Sequence, residues 1–347
     1  MSIHEKHIRR CIQIAKNALG SARPNPMVGS VITHNDIIIG EGYTSGYGGN
    51  HAEVNAINSV KDKALLKEAT IYVTLEPCSH YGKTPPCSDL IIKHNIPTIV
   101  VGTIDTHSKV AGKGIEKLQN AGCNVILGVL ENECQEHHKR FFTFHNKKRP
   151  YIILKWAQTS DGFIAPENTN KREPVWITNT YSRQLVHKWR AEEQAILIGN
   201  KTVIKDNPKL TTRDWSGANP VRIVIDVSNN IPNDSAVLDQ TTKTIIITLA
   251  RDTRKSSNNI IYEGITSREN VTEEICNILH KHDIQSVIIE GGSYTIQSFI
   301  DKNLWDEARV FTGLNTFKKG ICAPILKAQP ISEEKIMEDT LIIYRND

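Results

Sequence analysis

No stretch of about 18 or more consecutive apolar residues occurs in the 347-residue sequence, so no membrane-spanning helix is expected. The opening residues, Met1-Ser2-Ile3-His4-Glu5-Lys6-His7, lack the apolar core of a secretory signal. Aromatic residues make up 6% of the chain and the formal net charge is only +4. That combination lacks the basic stripe with interleaved aromatics that a nucleic-acid groove needs, while it suits small anionic substrates. Lys147-Lys148-Arg149 reads as a solvated connector rather than a basic patch. The seven cysteines are odd in number and irregular in spacing, which argues against a disulfide framework. Cys11, Cys123, Cys134, Cys276 and Cys322 read as buried or free thiols, and a reducing, cytoplasmic setting is expected. Internal repeats and long low-complexity segments are also missing.

What is present concentrates in two short stretches, His51-Ala52-Glu53 and Glu76-Pro77-Cys78-Ser79-His80-Tyr81-Gly82-Lys83-Thr84-Pro85-Pro86-Cys87. One imidazole and two thiols can hold zinc and leave a fourth tetrahedral position for water. Zinc lowers the pKa of such a water to about 7. Glu53, two residues from His51, is close to the metal yet free to carry protons. H-x-E followed by P-C-x-x-C is the signature of zinc deaminases, in which the glutamate is the general acid/base and not a ligand. Here eight residues, 79–86, separate the cysteines instead of two. Pro85 and Pro86 prevent that loop from being helical throughout. It is expected at the mouth of the zinc pocket, with His80 and Lys83 offered to a substrate. The plainer alternative is a pair of buried thiols with a core histidine. A purely structural zinc site would want a fourth protein ligand.

The first half of the chain alternates helix and strand. A helix is expected over residues 2–19 with Gly20 as its stop, then strands over 28–32 and 37–41. Asn25, held between Pro24 and Pro26, is a candidate for reading a ring or a sugar hydroxyl; alone it would pass for a turn asparagine. A helix starting near His51 places Glu53 in the same first turn. A buried strand over 69–75 delivers Cys78, and Cys87 opens a helix running to residue 94. Strands over 98–103 and 123–128, with a helix over 115–120 between them, complete a layered α/β/α sheet. A helix over 131–144 leads to a domain boundary near Asn146.

The second half is again α/β. Strands are expected over 151–157, 195–198, 221–226, 244–248 and 286–290. Helices are expected over 180–190, from residue 201 to Asp206, over 272–281 with Thr272 as N-cap, and to residue 300. The remainder from Trp305 reads mostly as strand. Glu290-Gly291-Gly292-Ser293, between a strand and a helix, would let a phosphate approach the helix N-terminus. It is not the G-x-G-x-x-G fingerprint, and a tight strand-to-helix turn remains the alternative.

Pro24-Asn25-Pro26-Met27-Val28-Gly29, the H-A-E triplet and the long loop between the cysteines closely resemble the deaminase half of the bifunctional riboflavin-biosynthesis deaminase/reductases. Lys155, Ser160-Asp161-Gly162, Trp176-Ile177-Thr178, Arg190-Ala191, the 202–213 stretch and Glu290-Gly291-Gly292 resemble the reductase half. The resemblance implies a cytidine-deaminase-like α/β/α zinc domain over 1–146 and a dihydrofolate-reductase-like α/β domain, using NADPH, over 147–347. It implies hydrolytic deamination of 2,5-diamino-6-(5-phosphoribosylamino)pyrimidin-4(3H)-one, then reduction of the ribosyl group of 5-amino-6-(5-phosphoribosylamino)uracil to ribityl. It assigns zinc to His51, Cys78 and Cys87 and proton transfer to Glu53. The cofactor falls to Ala157, Trp176, Thr202, Asp206 and the turn Gly292, Ser293, Tyr294, Thr295, Ile296, Gln297, Ser298. The substrates fall to Asn25, His80, Lys83, Pro174, Arg190, Leu210, Arg213 and Glu290. A homo-oligomer, dimer or tetramer, is also implied. Two positions depart from the family. Its usual Asp-Pro-Asn-Pro turn is here Asp105-Thr106-His107-Ser108, and Pro174 stands where many members have serine, removing a hydroxyl.

Two other readings stay open from the residues themselves. One is a deaminase of a different base, in RNA, with a second domain that only binds. The other is a non-catalytic nucleotide- or nucleic-acid-binding protein with structural zinc. The long loop with His80 and Lys83 argues against the first, which an absence of NADPH binding would favour. The weak net charge argues against the second, which would require that Glu53→Ala leave function untouched.

Overall fold

The computed structural model describes residues 1–81, 85–106, 111–167, 175–249 and 256–346. They form two compact units, Met1–Lys148 and Arg149–Asp347.

The first unit opens with α1 (Ile3–Ala15), whose first turn is closed by a capping box between Ser2 and Glu5. The expected 2–19 helix is shorter than its apolar spacing suggested. After Ala15 the chain tightens into a single 3-10 turn, and Gly20 takes φ +83°. Strands β1 (Gly29–His34) and β2 (Ile37–Tyr43) form a hairpin. Then follow α2 (Ala52–Ser59), β3 (Thr70–Leu75), α3 (Cys87–Lys93), β4 (Thr98–Thr103), α4 (Lys113–Asn120) and β5 (Asn124–Leu127). The sheet order is β2-β1-β3-β4-β5, with β3, β4 and β5 parallel and β1 antiparallel to both its neighbours.

Alternation along these strands sends successive side chains to opposite faces. Ile32, Val73 and Val101 pack with α2, α3 and α4 through Ala56, Ile57, Ile91 and Leu118. Val31, Tyr72 and Val100 pack with α1 through Ile8, Cys11 and Ile14. The helix expected over 131–144 is two helices, α5 (Glu131–His137) and α6 (Lys139–Lys147). The break falls at His138, which is buried and bonded to Thr74 Oγ1 at 3.1 Å. That tertiary bond turns the chain where local propensity alone would have continued it.

The second unit contains β6 (Tyr151–Gln158), β7 (Phe163–Pro166), α7 (Thr180–Glu192), β8 (Ala195–Gly199), α8 (Asn200–Asp206), β9 (Val221–Ile225), β10 (Thr244–Thr248) and β11 (Ile260–Gly264). It continues with α9 (Val271–Lys281), β12 (Ser286–Ile289), α10 (Ser293–Asp301), β13 (Glu307–Thr312), β14 (Gly320–Cys322), β15 (Pro330–Ile336) and β16 (Asp339–Arg345). Nine strands form one sheet in the order β11-β10-β9-β8-β12-β6-β13-β16-β15, parallel as far as β13, and β7 pairs with β14 apart from it. One face packs against α9 and α10 through Ile275, Ile296 and Phe299. The opposite face packs against α7 through Val186 and Trp189 and against α8 through Val203. Thr272 is not the N-cap of α9. Asn270 holds that position without a side-chain bond, and Thr272 lies inside the helix with its hydroxyl on Glu273.

All seven cysteines are free of disulfides. Cys11, Cys134 and Cys276 are buried, Cys123 is half-buried and Cys322 is exposed. No helix among the described residues is long and apolar enough to cross a membrane.

A His/Cys/Cys centre and a charged cleft

The first site is assembled from two helix starts and one strand end. His51 is the N-cap of α2, in extended backbone conformation, and Glu53 sits in the first turn of that helix. Cys78 follows β3 by three residues, and Cys87 is the first residue of α3, with Pro86 as its N-cap. Proline before a helix start costs nothing, because the donor it lacks would have no partner there. The Cys87 amide points at Cys78 Sγ at 3.3 Å, and Ser88 N donates to Cys78 O at 3.1 Å. The loop ends are thus pinned although eight residues intervene.

His51 Nδ1 lies 3.6 Å from Cys78 Sγ and 3.3 Å from Cys87 Sγ, and the three ligand atoms are within 4.8 Å of one another. Zinc bonded tetrahedrally to nitrogen at about 2.0 Å and sulfur at about 2.3 Å would separate such donors by roughly 3.5 Å. The donor set fits zinc in both chemistry and spacing. Among the described residues it is the one cluster of three or more potential ligands.

Glu53 is buried. Burial, reinforced by the charge of Cys78, raises its carboxyl to about 7, with His51 opposing the shift. Bonds from Cys87 and then His51 favour the Cys78 thiolate against the cost of burial, while the shared bond and burial push Cys87 up. The Cys78 bond raises His51.

Asn25 is half-buried in the loop before β1, its amide bonded to Ala22 O at 3.0 Å. Ser30 pairs with Val73 and Gly29 N bonds Thr74 Oγ1, so this loop meets the end of β3 that carries Cys78. His80 is exposed two residues past Cys78. Lys83, Pro174 and the 107–108 part of the altered turn lie outside the described residues.

In the second unit, Glu290 follows β12 directly and is reached by two cations. Arg190 Nη2 from α7 stands 2.9 Å from its Oε2, and Lys155 Nζ from β6 stands 3.8 Å from its Oε1. Burial opposes the Glu290 charge, but Arg190 and Lys155 outweigh it and hold the carboxyl below its usual range. Burial in turn lowers Lys155. Arg190 Nη1 also donates to Thr211 O at 3.4 Å, which brings the segment carrying buried Leu210 and exposed Arg213 beside this charged cluster. Lys155, though quoted for its resemblance, was not placed in the site by the sequence. A lone lysine within Tyr-Ile-Ile-Leu-Lys-Trp-Ala was the available signal, since a buried lysine needs a partner. His187 had no such signal. It is buried and accepts the Arg213 amide at Nδ1 over 3.0 Å.

Of the expected cofactor residues, Thr202 and the 292–298 segment lie at adjoining helix starts. A Cβ on Gly291, whose φ is +114°, would meet Thr202 Oγ1 at 2.9 Å, and one on Gly199 would meet Thr295 Oγ1 at 2.8 Å. Thus the turn before α8 and the turn before α10 lie against each other. A Cβ on Gly292, the N-cap of α10, would meet nothing within 4 Å, so the helix start faces open space. Such an open helix start leaves room for an anion to approach its amides. Ile296 is fully buried in the core, so only its backbone can face a ligand. Gln297 and Ser298 are engaged by Asp301 and Thr295 O, and Tyr294 is exposed. Asp206 is half-buried and raised by burial. Ala157 is half-buried in β6 opposite Phe311, and Trp176 is exposed beneath the Arg183 guanidinium, 4.4 Å from its ring centre.

The two folds and their sites define an enzyme with a zinc-dependent deaminase domain joined to an NADPH-dependent reductase domain. Residues 1–103 match the cytidine and deoxycytidylate deaminase zinc-binding region, and residues 150–313 match the RibD C-terminal domain. The riboflavin biosynthesis protein RibD of Aquifex aeolicus is 37% identical, covering 99% of this chain and 98% of its own length. That of Escherichia coli is 32% identical over 92% and 90%. The crystal structure of a diaminohydroxyphosphoribosylaminopyrimidine deaminase/5-amino-6-(5-phosphoribosylamino)uracil reductase from Thermotoga maritima superposes with a TM-score of 0.89 at 36% identity, covering 99% of both chains. The chain belongs to the RibD family and carries both activities, deamination and reduction, in riboflavin biosynthesis.

Proposed function

We propose that the first domain hydrolytically deaminates 2,5-diamino-6-(5-phosphoribosylamino)pyrimidin-4(3H)-one, and that the second reduces the ribosyl group of the resulting aminouracil to ribityl. The observation that carries the reading is the meeting of His51, Cys78 and Cys87 beside buried Glu53. His51, Cys78 and Cys87 would hold zinc, which supplies the Lewis acidity that makes water a nucleophile at neutral pH. Glu53, near 7, can take a proton from water and return it to the departing amine at that pH. In the balance a C–O bond forms, a C–N bond breaks and ammonia leaves. Asn25 and His80, with Lys83 from the same long loop, bind the pyrimidine and its phosphoribosyl group.

In the second domain the turn from Gly292 to Ser298, with Ala157, Trp176, Thr202 and Asp206, would hold NADPH, which supplies the hydride. Glu290, kept ionised by Arg190 and Lys155, orients the substrate's hydroxyls. Arg190 and Arg213 bind its phosphate, for which the guanidinium fork is suited. Leu210 packs against the base, and Pro174 offers only its carbonyl. The domain limits proposed are 1–146 and 147–347, in a cytoplasmic homo-oligomer of two or four copies, whose mass in solution sizing with light scattering would establish.

A coupled assay tests the reading. Zinc-loaded protein is given the diaminopyrimidinone ribotide with and without NADPH. Ammonia is expected in both cases, and NADPH loss only after ammonia appears. Ammonia without NADPH loss would overturn the reductase assignment, and no ammonia would overturn the first.

A further inference from the structure

Glu76 has no part in the site as described, yet its side chain is 4% exposed and lies two residues before a metal ligand. Its own amide donates to Thr103 O at 3.0 Å, extending the β3–β4 pairing one step beyond the strand. Its carboxylate receives four backbone amides. Oε2 accepts from Gly112 at 3.0 Å and Asp105 at 3.3 Å, and Oε1 accepts from Gly114 at 2.9 Å and Ile115 at 3.4 Å. These donors come from both ends of the connection between β4 and α4. Gly112 is the N-cap of α4, with φ +79° and no side chain to offer the first turn. Glu76 supplies the missing acceptor from another strand, and its negative charge suits the helix start.

The contact is close enough to matter for the metal centre. A Cβ on Gly114 would stand 2.0 Å from Pro77 O. The start of α4 therefore rests on the peptide that joins Pro77 to Cys78. Cys78 is held on its other side by Cys87 and Ser88.

We propose that Glu76 is the positioning residue of the deaminase centre. By gathering the Asp105 amide and the α4 start onto the end of β3, it fixes the peptide from which the Cys78 thiolate projects. It also ties that ligand to the amides of Asp105 and Gly112. The inference rests on the reading of His51, Cys78 and Cys87 as a zinc site.

Glu76→Gln is the first test. The glutamine would turn an NH2 group toward two amide donors that now meet a carboxylate oxygen. Outer-shell residues of metal sites typically account for 10–100-fold in affinity or activity. Zinc should pass to a chromophoric chelator at least about 10-fold more readily from the variant, and the absorption bands of its cobalt(II) form should shift. Ammonia release should fall by a similar factor, while reduction of preformed aminouracil ribotide stays at the wild-type rate. Glu76→Asp, which keeps the charge, should recover part of the affinity. A merely structural role would lower the melting temperature and leave the cobalt spectrum of the folded protein unchanged, and that result overturns the proposal. Should Glu76→Gln not fold, hydrogen exchange on the wild-type protein decides. Zinc loading should slow exchange at Gly112 and Gly114, and unchanged exchange there overturns the proposal. Wild-type protein that takes up no zinc would overturn the zinc reading, and this inference with it, whereas zinc-loaded variants indistinguishable from wild type would overturn the inference alone.

Discussion

Arg190 and Glu290, one hundred residues apart in the chain, meet at 2.9 Å with both side chains nearly buried. Removing one partner of a buried pair typically costs about 3–5 kcal/mol, an upper limit here because Lys155 stays 3.8 Å from Glu290. Arg190→Ala should therefore lower the denaturant midpoint of the second domain and raise the Glu290 carboxyl, a shift that Lys155 would still oppose. Reduction should fall by about 10–100-fold, the equivalent of the roughly 1.5–3 kcal/mol that a hydrogen bond to a charged group contributes. Ammonia release, measured on the same preparation, should stay at the wild-type rate. Equal loss of both activities would count against separate sites.

Glu53→Gln keeps the shape of the buried side chain and removes its proton transfer. Ammonia release is expected to drop by about 10²–10⁴-fold. Zinc content, measured by elemental analysis, should remain one per chain, because the glutamate is not a ligand. A variant that loses both zinc and ammonia release would show Glu53 to be part of the metal's support instead.

Metal removal should separate the domains. A strong chelator, or Cys87→Ala, should abolish ammonia release and leave NADPH-dependent reduction of preformed aminouracil ribotide intact. Readdition of zinc should restore deamination in the chelated wild type and not in the variant.

His187 makes acid pH costly. Burial, with Arg190 and Arg213 nearby, lowers it to about 4, against about 6.5 for a free histidine. The unfolded chain then binds more protons than the folded one between these values, so stability rises with pH there. Its contribution is present above pH 6.5 and is lost as pH falls toward 4. His187→Gln retains an acceptor for the Arg213 amide and cannot titrate. The variant should be less stable than wild type at pH 7, with the gap narrowing by pH 5 in urea titrations. A gap of constant size would show that His187 does not change its charge on unfolding.

The amino-acid sequence by itself determined the chemistry and the local frame. H-A-E at a helix start, P-C at a strand end and a second cysteine opening a helix are signals carried within a few residues, because helix caps and strand alternation are local effects. Most strands and helices were legible for the same reason. β11 was not, since its five residues follow a polar stretch and present no long apolar run. The break at His138 was invisible because its cause is Thr74, 64 residues earlier. Only the tertiary structure decided what stands beside each site residue. Glu76 meets amides 29, 36, 38 and 39 residues away, and Lys155 meets Glu290 from β6, the strand paired with β12. No spacing rule predicts such partners. They are selected when the sheet order brings strand ends together and a buried charge must find its counterpart or its hydrogen-bond donors there.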